Sequence, residues 1–321
     1  MKRLIFSILM MAQFSVTVFA GEAAYPSRPV RVVVPFGPGG PTDVFARLIG
    51  QKLSNKLGQQ FYVENQAGAG GNLGMGAVAR AKPDGYTLLV VSSSFLVNPS
   101  LYSKAPYDAR RDFAPITLAA TTPNILTVHA SVPASNVAEL VSYVRSNPGK
   151  LSFATSGIGT TPHLSAELFK STLSLDLVHV PFNGSGPAVQ SVVGGHTPIA
   201  FTVMTPAAPQ IRDGALRGLA VTTTRRSPAL PEIPTLTEQG FAEQGSDTIQ
   251  GFLAPAGTPP AVIDLLQREI VTAMGEADVK ERMAQLGFEA VGSTPDEFRA
   301  RIDTEIPRWS KVIKDGNIRI E

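Results

Sequence analysis

An apolar run that ends in a glycine-rich turn and continues as a helix occurs twice in this chain, and this pattern favours an α/β fold. Val30–Val34 is apolar and enters the turn PFGPGG at 35–40, after which a helical pattern begins near Thr42. A similar turn, TSGIGTT, stands at 155–161. Such turns present backbone N–H groups at a helix N-terminus, where the partial positive charge of the helix attracts an anion. Two of them predict an anion held between two parts of the fold.

Apolar runs and helical patterns alternate in two successive blocks. The first block extends from residue 30 to residue 92, and the alternation restarts after Pro123 and continues to residue 222. This order predicts mostly parallel strands with helices on both faces of each sheet. Further helical patterns follow at 260–275, 278–286 and 295–313.

We therefore expect two α/β lobes, each a mostly parallel sheet flanked by helices, because the chain exceeds a typical single core. Lobe 1 is expected at 25–122 plus 231–321, and lobe 2 at 123–230. The chain then crosses between the lobes twice, near 121–125 and 223–231. Two crossings form a hinge, and hinged lobes close on ligands.

The first twenty residues are typical of a cleaved secretory signal. Lys2 and Arg3 precede the apolar stretch Leu4–Met11, and Val18–Ala20 ends with small residues that suit a signal peptidase. We expect residues 1–20 to be removed and the mature protein to be exported to the periplasm.

Composition excludes several classes of function. The chain has no cysteine, so we expect no lipid anchor on an N-terminal cysteine, no disulfide and no thiolate metal site. Two of the 28 basic residues and none of the 26 acidic ones lie in the signal, so its removal leaves 26 of each. This balance, without a basic run, gives no reason to expect nucleic acid as a partner.

The first turn supplies backbone donors. Gly39 and Gly40 allow close approach to the backbone. Thr42 is placed to cap the helix, and Asp43 lies in its first turn, where a carboxylate favours the helix dipole. The alternative is a tight connection that binds nothing.

The second turn adds hydroxyl groups. Ser156, Thr160 and Thr161 stand beside Gly157 and Gly159. Neutral donors suit a receptor that releases its ligand, because no buried counter-ion is left unpaired.

Other motifs are weaker. The stretch GAGGNLG at 68–74 has the wrong spacing for a dinucleotide site, and the four histidines form no metal-ligand pattern, so we expect no cofactor and no metal. Ser185 lies in a G-S-G sequence that lacks the spacing of a nucleophile elbow. An exported hydrolase that uses Ser156 or Ser185 remains an alternative.

Six stretches together resemble the Bug-type receptors, the solute-binding proteins of tripartite tricarboxylate transporters. They follow one another in order along the chain: PFGPGGPTDVFAR at 35–47, ENQAGAGGNLG at 64–74, VARAKPDGYTLL at 78–89, FATSGIGTTPHLSAELF at 153–169, HVPFNGSGPA at 179–188 and GLAVTTTRRSPALPEIPTLTEQG at 218–240. The resemblance implies a type II-like periplasmic-binding-protein fold whose lobes close on a carboxylate-bearing solute.

In that family the two turns hold one carboxylate through amides, hydroxyls and waters. By this resemblance and the residue patterns together, the expected ligand-binding residues are Phe36, Gly37, Pro38, Gly39, Gly40, Pro41, Thr42, Asp43, Ser94, Ser156, Gly157, Gly159, Thr160, Thr161, Phe182 and Thr202.

Three departures from the family pattern concern specificity. Pro41 replaces a frequent third glycine and removes one N–H donor. Phe182 and Asn183 stand where Tyr-Lys is frequent, and Thr202 stands where an Asp is common. These changes predict a more apolar pocket, lined by Phe36, Phe95, Phe182 and Met204, and a simple or aromatic mono- or dicarboxylate as the ligand.

The leading interpretation is a monomeric, non-enzymatic receptor that delivers a small carboxylate to the membrane subunits of a transporter. A receptor that reports the ligand to a sensor protein is the second possibility, and the exported hydrolase is the third.

Overall fold

The structure is a computed structural model that describes residues 25–241 and 244–318. The signal expected at residues 1–20 lies outside this part of the chain. The strands of the described part are β1 (Val30–Val34), β2 (Phe61–Asn65), β3 (Thr87–Val91), β4 (Phe113–His129), β5 (Ser152–Thr155), β6 (Val178–Pro181), β7 (Ile199–Val203), β8 (Leu216–Val221), β9 (Asp247–Pro255) and β10 (Glu289–Ala290).

The α-helices of the same residues are α1 (Pro41–Leu57), α2 (Asn72–Ala79), α3 (Ser94–Leu101), α4 (Val137–Arg145), α5 (Thr161–Thr172), α6 (Ser185–Val193), α7 (Met204–Arg212), α8 (Pro260–Met274), α9 (Ala277–Gln285) and α10 (Pro295–Asp315). None of these helices combines the length and the apolar character needed to cross a bilayer.

Each lobe contains a mixed sheet. In lobe 1 the order is β2-β1-β3-β9-β4, with β10 also on β4; β1 pairs in parallel with β2 and β3, whereas β9 and β10 are antiparallel to their neighbours. In lobe 2, β4 pairs with β8 and β7, and β7, β5 and β6 are parallel to one another. The expected parallel strands are present, and the antiparallel pairs arise where the chain passes between the lobes.

A single long strand carries the chain from lobe 1 to lobe 2. The sequence predicts separate strands at 116–120 and 125–129, but the structure joins them in β4, which has 17 residues. Its residues up to Pro123 pair with β9, and those from Asn124 onward pair with β7. Because its side chains are almost all buried, no solvent-exposed turn interrupts it.

The second crossing lies later than the sequence predicts. Ile233 and Leu236 are buried in the apolar cores of lobe 2, and Phe241 packs there as well. The chain therefore leaves lobe 2 between Phe241 and the start of β9, and not at residue 231. Helices α8, α9 and α10 pack on the lobe 1 sheet, as expected.

The sequence patterns missed two helices, α3 and α7. Both contain an internal proline, Pro99 in α3 and Pro209 in α7, and proline disfavours a helix interior. Burial of residues such as Phe95 and Met204 outweighs that preference. Both helices matter for the site, because each begins directly after a strand.

Candidate functional site

A cleft of about 600 Å³ lies between the two lobes. It is placed at the carboxyl ends of the parallel strands, where α/β proteins commonly bind ligands. Its lining residues are Phe36, Gly40, Pro41, Thr42, Gly70, Ser92, Ser94, Asn98, Leu101, Tyr102, Ser156, Ile158, Gly159, Thr160, Thr161, Pro162, Gly184, Ser185, Gly186, Val203, Thr205, Pro206, Thr248 and Gln250.

Five helices begin at this cleft: α1 and α3 from lobe 1, and α5, α6 and α7 from lobe 2. In none of the five does the side chain of the N-cap residue accept a hydrogen bond from a backbone N–H of the helix. Of the other five α-helices described, α4 and α10 are capped by the side chains of Asn136 and Thr294, whereas α2, α8 and α9 are not. The first N–H groups of a helix have no partner within the helix, so these uncapped ends direct partial positive charge into the cleft.

The lining contains no ionisable Asp, Glu, Lys, Arg or His side chain among the residues that the structure describes. Its polar groups are hydroxyls, amides and backbone. Its apolar groups include Phe36, Leu101, Ile158 and Val203, and Ile158 is 46% exposed. Such a surface attracts an anion through neutral dipoles and packs against an apolar ligand body.

The turn before α1 is organised by Asp43. The carboxylate of Asp43 accepts hydrogen bonds from the Gly39 amide at 2.9 Å and from Asn65 Nδ2 at 2.8 Å, and it pairs with Arg47. Burial alone would raise the pKa of Asp43, but the bonds from Arg47, Gly39 and Asn65 outweigh it and hold the pKa below its usual value. Asp43 is therefore a structural anion of the turn.

Two backbone amides at the N-terminus of α1 have no hydrogen-bond partner within the helix. Pro41 is the first helical residue and has no N–H, and Val44 donates to the Gly40 carbonyl. The N–H groups of Thr42 and Asp43 lie between them and have no partner within the helix.

The turn before α5 repeats this arrangement with His163 in the place of Asp43. The Gly159 amide donates to His163 Nδ1 at 3.1 Å, again four residues away. The His163 ring is buried and stacks on His179, with ring centroids 4.1 Å apart. Burial, then the neighbouring charges of His179 and Lys170, lower the pKa of His163 to about 3, so the ring is neutral and Nδ1 accepts.

The N-terminus of α5 also keeps two amides. Pro162 has no N–H, and Leu164 donates to the Thr160 carbonyl. The amides of Thr161 and His163 are left without a partner in the helix. Each lobe thus offers two such N–H groups, and in each pair one belongs to a residue that lines the cleft, Thr42 or Thr161.

The cleft brings together nine of the sixteen predicted site residues: Phe36, Gly40, Pro41, Thr42, Ser94, Ser156, Gly159, Thr160 and Thr161. The other seven lie outside its lining: Gly37, Pro38, Gly39, Asp43, Gly157, Phe182 and Thr202.

Physical reasons account for these seven positions. Residues 37–39 are exposed at the tip of the first turn, and Asp43 turns inward to the Gly39 amide. The Gly157 amide donates to Thr155 Oγ1 at 3.3 Å. Phe182 packs against a core of lobe 2, and Thr202 is fully buried in β7.

The expected apolar lining is also corrected in part. Phe36 lines the cleft, whereas Phe95 stacks on Tyr107 in the lobe 1 core and Met204 is buried in lobe 2. Leu101, Tyr102 and Ile158 provide the apolar wall instead.

Sequence reasoning missed the donors at 184–186 and the polar residues of β9. The G-S-G-P sequence at 184–187 carries the same glycine-to-helix signal as the first two turns. Thr248 and Gln250 alternate with Ile249 in a strand whose last five residues are buried and largely apolar, which was a visible signal for polar groups at a cleft.

The serines and histidines do not form a catalytic pair. The hydroxyls of Ser156 and Ser185 hydrogen-bond to each other, and His179 Nε2 bonds to Thr155 Oγ1 at 2.7 Å. Within residues 25–241 and 244–318, neither serine is hydrogen-bonded to a histidine. The same residues contain no cluster of three potential metal ligands.

A larger groove of about 1230 Å³ lies between α10 and the second crossing. Its charged groups largely pair with one another: Arg301 with Asp247 at 2.7 Å, and Arg308 with Glu305 at 3.3 Å. We place the site in the smaller cleft, because its helix ends converge and their amides are unpaired.

Comparisons with known proteins show the family of the chain. The family described as "Tripartite tricarboxylate transporter family receptor" matches residues 45–318. Protein BugT of Bordetella pertussis is 36% identical over 299 residues, which cover 92% of this chain and 92% of that protein.

Two solved structures from Rhodopseudomonas palustris are also similar. Rpa4515 with adipate is 34% identical with a TM-score of 0.80, and the match covers 92% of this chain and 99% of that one. MatC with bound malate is 34% identical with a TM-score of 0.77, covering 90% and 100%. The chain therefore belongs to the tripartite tricarboxylate transporter receptor family, the Bug-type periplasmic solute-binding proteins.

Proposed function

We propose that this receptor captures a small carboxylate between its two lobes and delivers it, as a monomer, to the membrane subunits of a tripartite tricarboxylate transporter. The observation that carries the proposal is the pair of facing helix ends, α1 and α5. Each has two amides without a partner within the helix, and one of each pair belongs to a residue that lines the cleft, Thr42 in α1 and Thr161 in α5. Among the described residues, the lining contains no Asp, Glu, Lys, Arg or His side chain.

The proposed hydrogen bonds can supply the binding free energy that a micromolar receptor needs. Four N–H groups that each donate to a carboxylate contribute about 1.5–3 kcal/mol apiece. Ordering and desolvation remove a large part of this sum. The remainder is compatible with a micromolar dissociation constant, which corresponds to about 8 kcal/mol.

Neutral donors also suit a carrier. An arginine in the cleft would be left as an unpaired buried charge when the ligand departs, whereas free amides at helix ends are readily hydrated. The adipate and malate in the two related structures support the assignment of a carboxylate. In this proposal the protein binds its ligand without reaction.

A proline substitution tests the site directly. Thr161 is the first residue of α5, a position that suits proline, and Thr160 before it has the extended conformation that proline requires (φ −72°, ψ 156°). Thr161→Pro removes one amide and one hydroxyl from the cleft while keeping the helix start. We expect at least tenfold weaker binding of the tightest carboxylate found in a calorimetric screen that includes adipate and malate.

Ala277→Pro is the matched control. Ala277 is the exposed first residue of α9, which also lacks a side-chain cap and lies outside the cleft. This variant should bind like the wild type. Equal affinity of Thr161→Pro and the wild type would contradict the proposed site, and uptake measured in a strain without the protein tests delivery.

A further inference from the structure

One side chain in the cleft wall is buried without a hydrogen-bond partner. Gln250 in β9 lines the cleft and is 1% exposed, and its Oε1 atom has no partner among the described residues. Buried polar atoms in native proteins are nearly always paired, so an unpaired one at a binding site calls for a ligand or a water.

The neighbouring polar groups of the wall are already engaged with protein. The Thr248 hydroxyl donates to Asn124 Oδ1 at 3.1 Å, and the hydroxyls of Ser92 and Ser94 lie 3.4 Å apart. The Asn98 amide donates to the Gly70 carbonyl and to Asn72 Oδ1, both at 2.9 Å. The amide of Gln250 differs from these groups, because its oxygen has no such contact.

Sheet register separates Gln250 from the helix end that is proposed to hold the carboxylate. Val91 of β3 pairs with Gly251, so Gln250 lies beside the end of β3. Strand β3 pairs in turn with β1, which leads into α1. Two strand spacings of about 4.8 Å place Gln250 roughly 10 Å across the sheet from β1. A carboxylate at the end of α1 and a group at Gln250 are therefore different parts of a ligand.

The chemistry of an amide defines that group. Its two Nε2–H donors suit a hydroxyl, a carbonyl or a second carboxyl oxygen, whereas its unpaired Oε1 acceptor suits a hydroxyl, which can donate to it. A cationic group is disfavoured, because no acidic side chain lines the cleft in the described residues.

We propose that Gln250 is a specificity-determining residue that hydrogen-bonds a second oxygen-bearing group of the ligand. The inference rests on the proposed capture of a carboxylate, and it narrows the ligand to carboxylates that carry a hydroxyl, carbonyl or second carboxyl group away from the held end. The apolar body between the two groups lies against Leu101, Tyr102 and Ile158.

Matched pairs of carboxylates test this by calorimetry. The pairs are adipate with hexanoate, succinate with butanoate, and 4-hydroxybenzoate with benzoate, whose members differ in the second oxygen group. For the wild type, we expect the oxygen-bearing member of at least one pair to bind about tenfold tighter than its partner. In Gln250→Leu the ratio of the two dissociation constants of that pair should fall close to one.

Stability separates ligand contact from a structural role. Gln250→Leu removes a buried amide oxygen that has no partner, so the ligand-free variant should melt at the wild-type temperature or above it, while its selectivity is lost. Gln244→Leu is the matched control, because Gln244 is also buried with an unpaired Oε1 but lies outside the cleft. This control should keep the wild-type ratio.

The outcomes are distinct. An unchanged ratio in Gln250→Leu overturns the role of Gln250 and leaves carboxylate capture standing. An equal loss for both members of a pair also overturns it, because Gln250 would then contact the shared carboxylate. If the wild type binds no member of any pair, both the capture of a carboxylate and this inference are refuted.

Discussion

The stacked pair His163 and His179 should make this receptor sensitive to mild acid. Burial lowers the pKa of His163 to about 3 and that of His179 to about 4. The charged groups near His163 are Glu167, whose Oε1 lies 3.9 Å from Nε2, and Lys170. The fold therefore accommodates His163 in its neutral form.

The sign and size of the effect follow from linkage. An unfolded histidine binds a proton below its pKa of 6.5, whereas folded His163 does not bind one until about pH 3. Stability is thus complete above pH 6.5 and falls as the pH decreases towards 3. At pH 5, which is 1.5 units below 6.5, His163 alone lowers the free energy of unfolding by about 2 kcal/mol, because each unit contributes about 1.36 kcal/mol. The melting temperature should fall by about 5 °C.

Urea unfolding between pH 7.5 and 5, followed by circular dichroism, measures the slope of the free energy of unfolding against pH. In His163→Gln one titrating group is lost, so the slope near pH 5 should decrease by about 1.4 kcal/mol per pH unit, even if packing lowers the absolute stability. Identical slopes for His163→Gln and the wild type would refute the reasoning.

Two further substitutions test the packing of lobe 1. Gly251→Ala should destabilise the protein by about 1–3 kcal/mol, because the added Cβ would lie 2.7 Å from Cε1 of the fully buried Phe298; a chemical denaturation curve that matches the wild type would contradict this contact. Thr294→Ala removes the capping box with Glu297 at the start of α10, and we expect a loss of about 1 kcal/mol in stability with unchanged ligand affinity. A change in affinity would show that α10 influences the cleft.

Local signals predicted most of the elements. The glycine turn, Pro41 at the first helical position and the buried face of Phe45, Ile49 and Leu53 specify α1 within a short window of sequence. The same reasoning failed for α3 and α7. Their internal prolines disfavour a helix locally, but the burial of their apolar side chains against parts of the chain that are distant in sequence outweighs this preference. It also failed at the second crossing, because Ile233 and Leu236 are still buried in the apolar cores of lobe 2.

The sequence alone determined which turns lead into helix N-termini, since glycine, proline and helix start signals act between neighbours in the chain. Tertiary structure decided which of their amides remain available. The amide of Gly39 donates a hydrogen bond to Asp43, and Asn65 of a neighbouring strand holds Asp43 in place. The amide of Gly159 donates a hydrogen bond to His163, which stacks on His179. Likewise, only the pairing of β9 with β3 brings Gln250 to the cleft. Hydrogen-bond partners that are distant in sequence depend on how sheets and lobes assemble, and no short window of sequence contains that information.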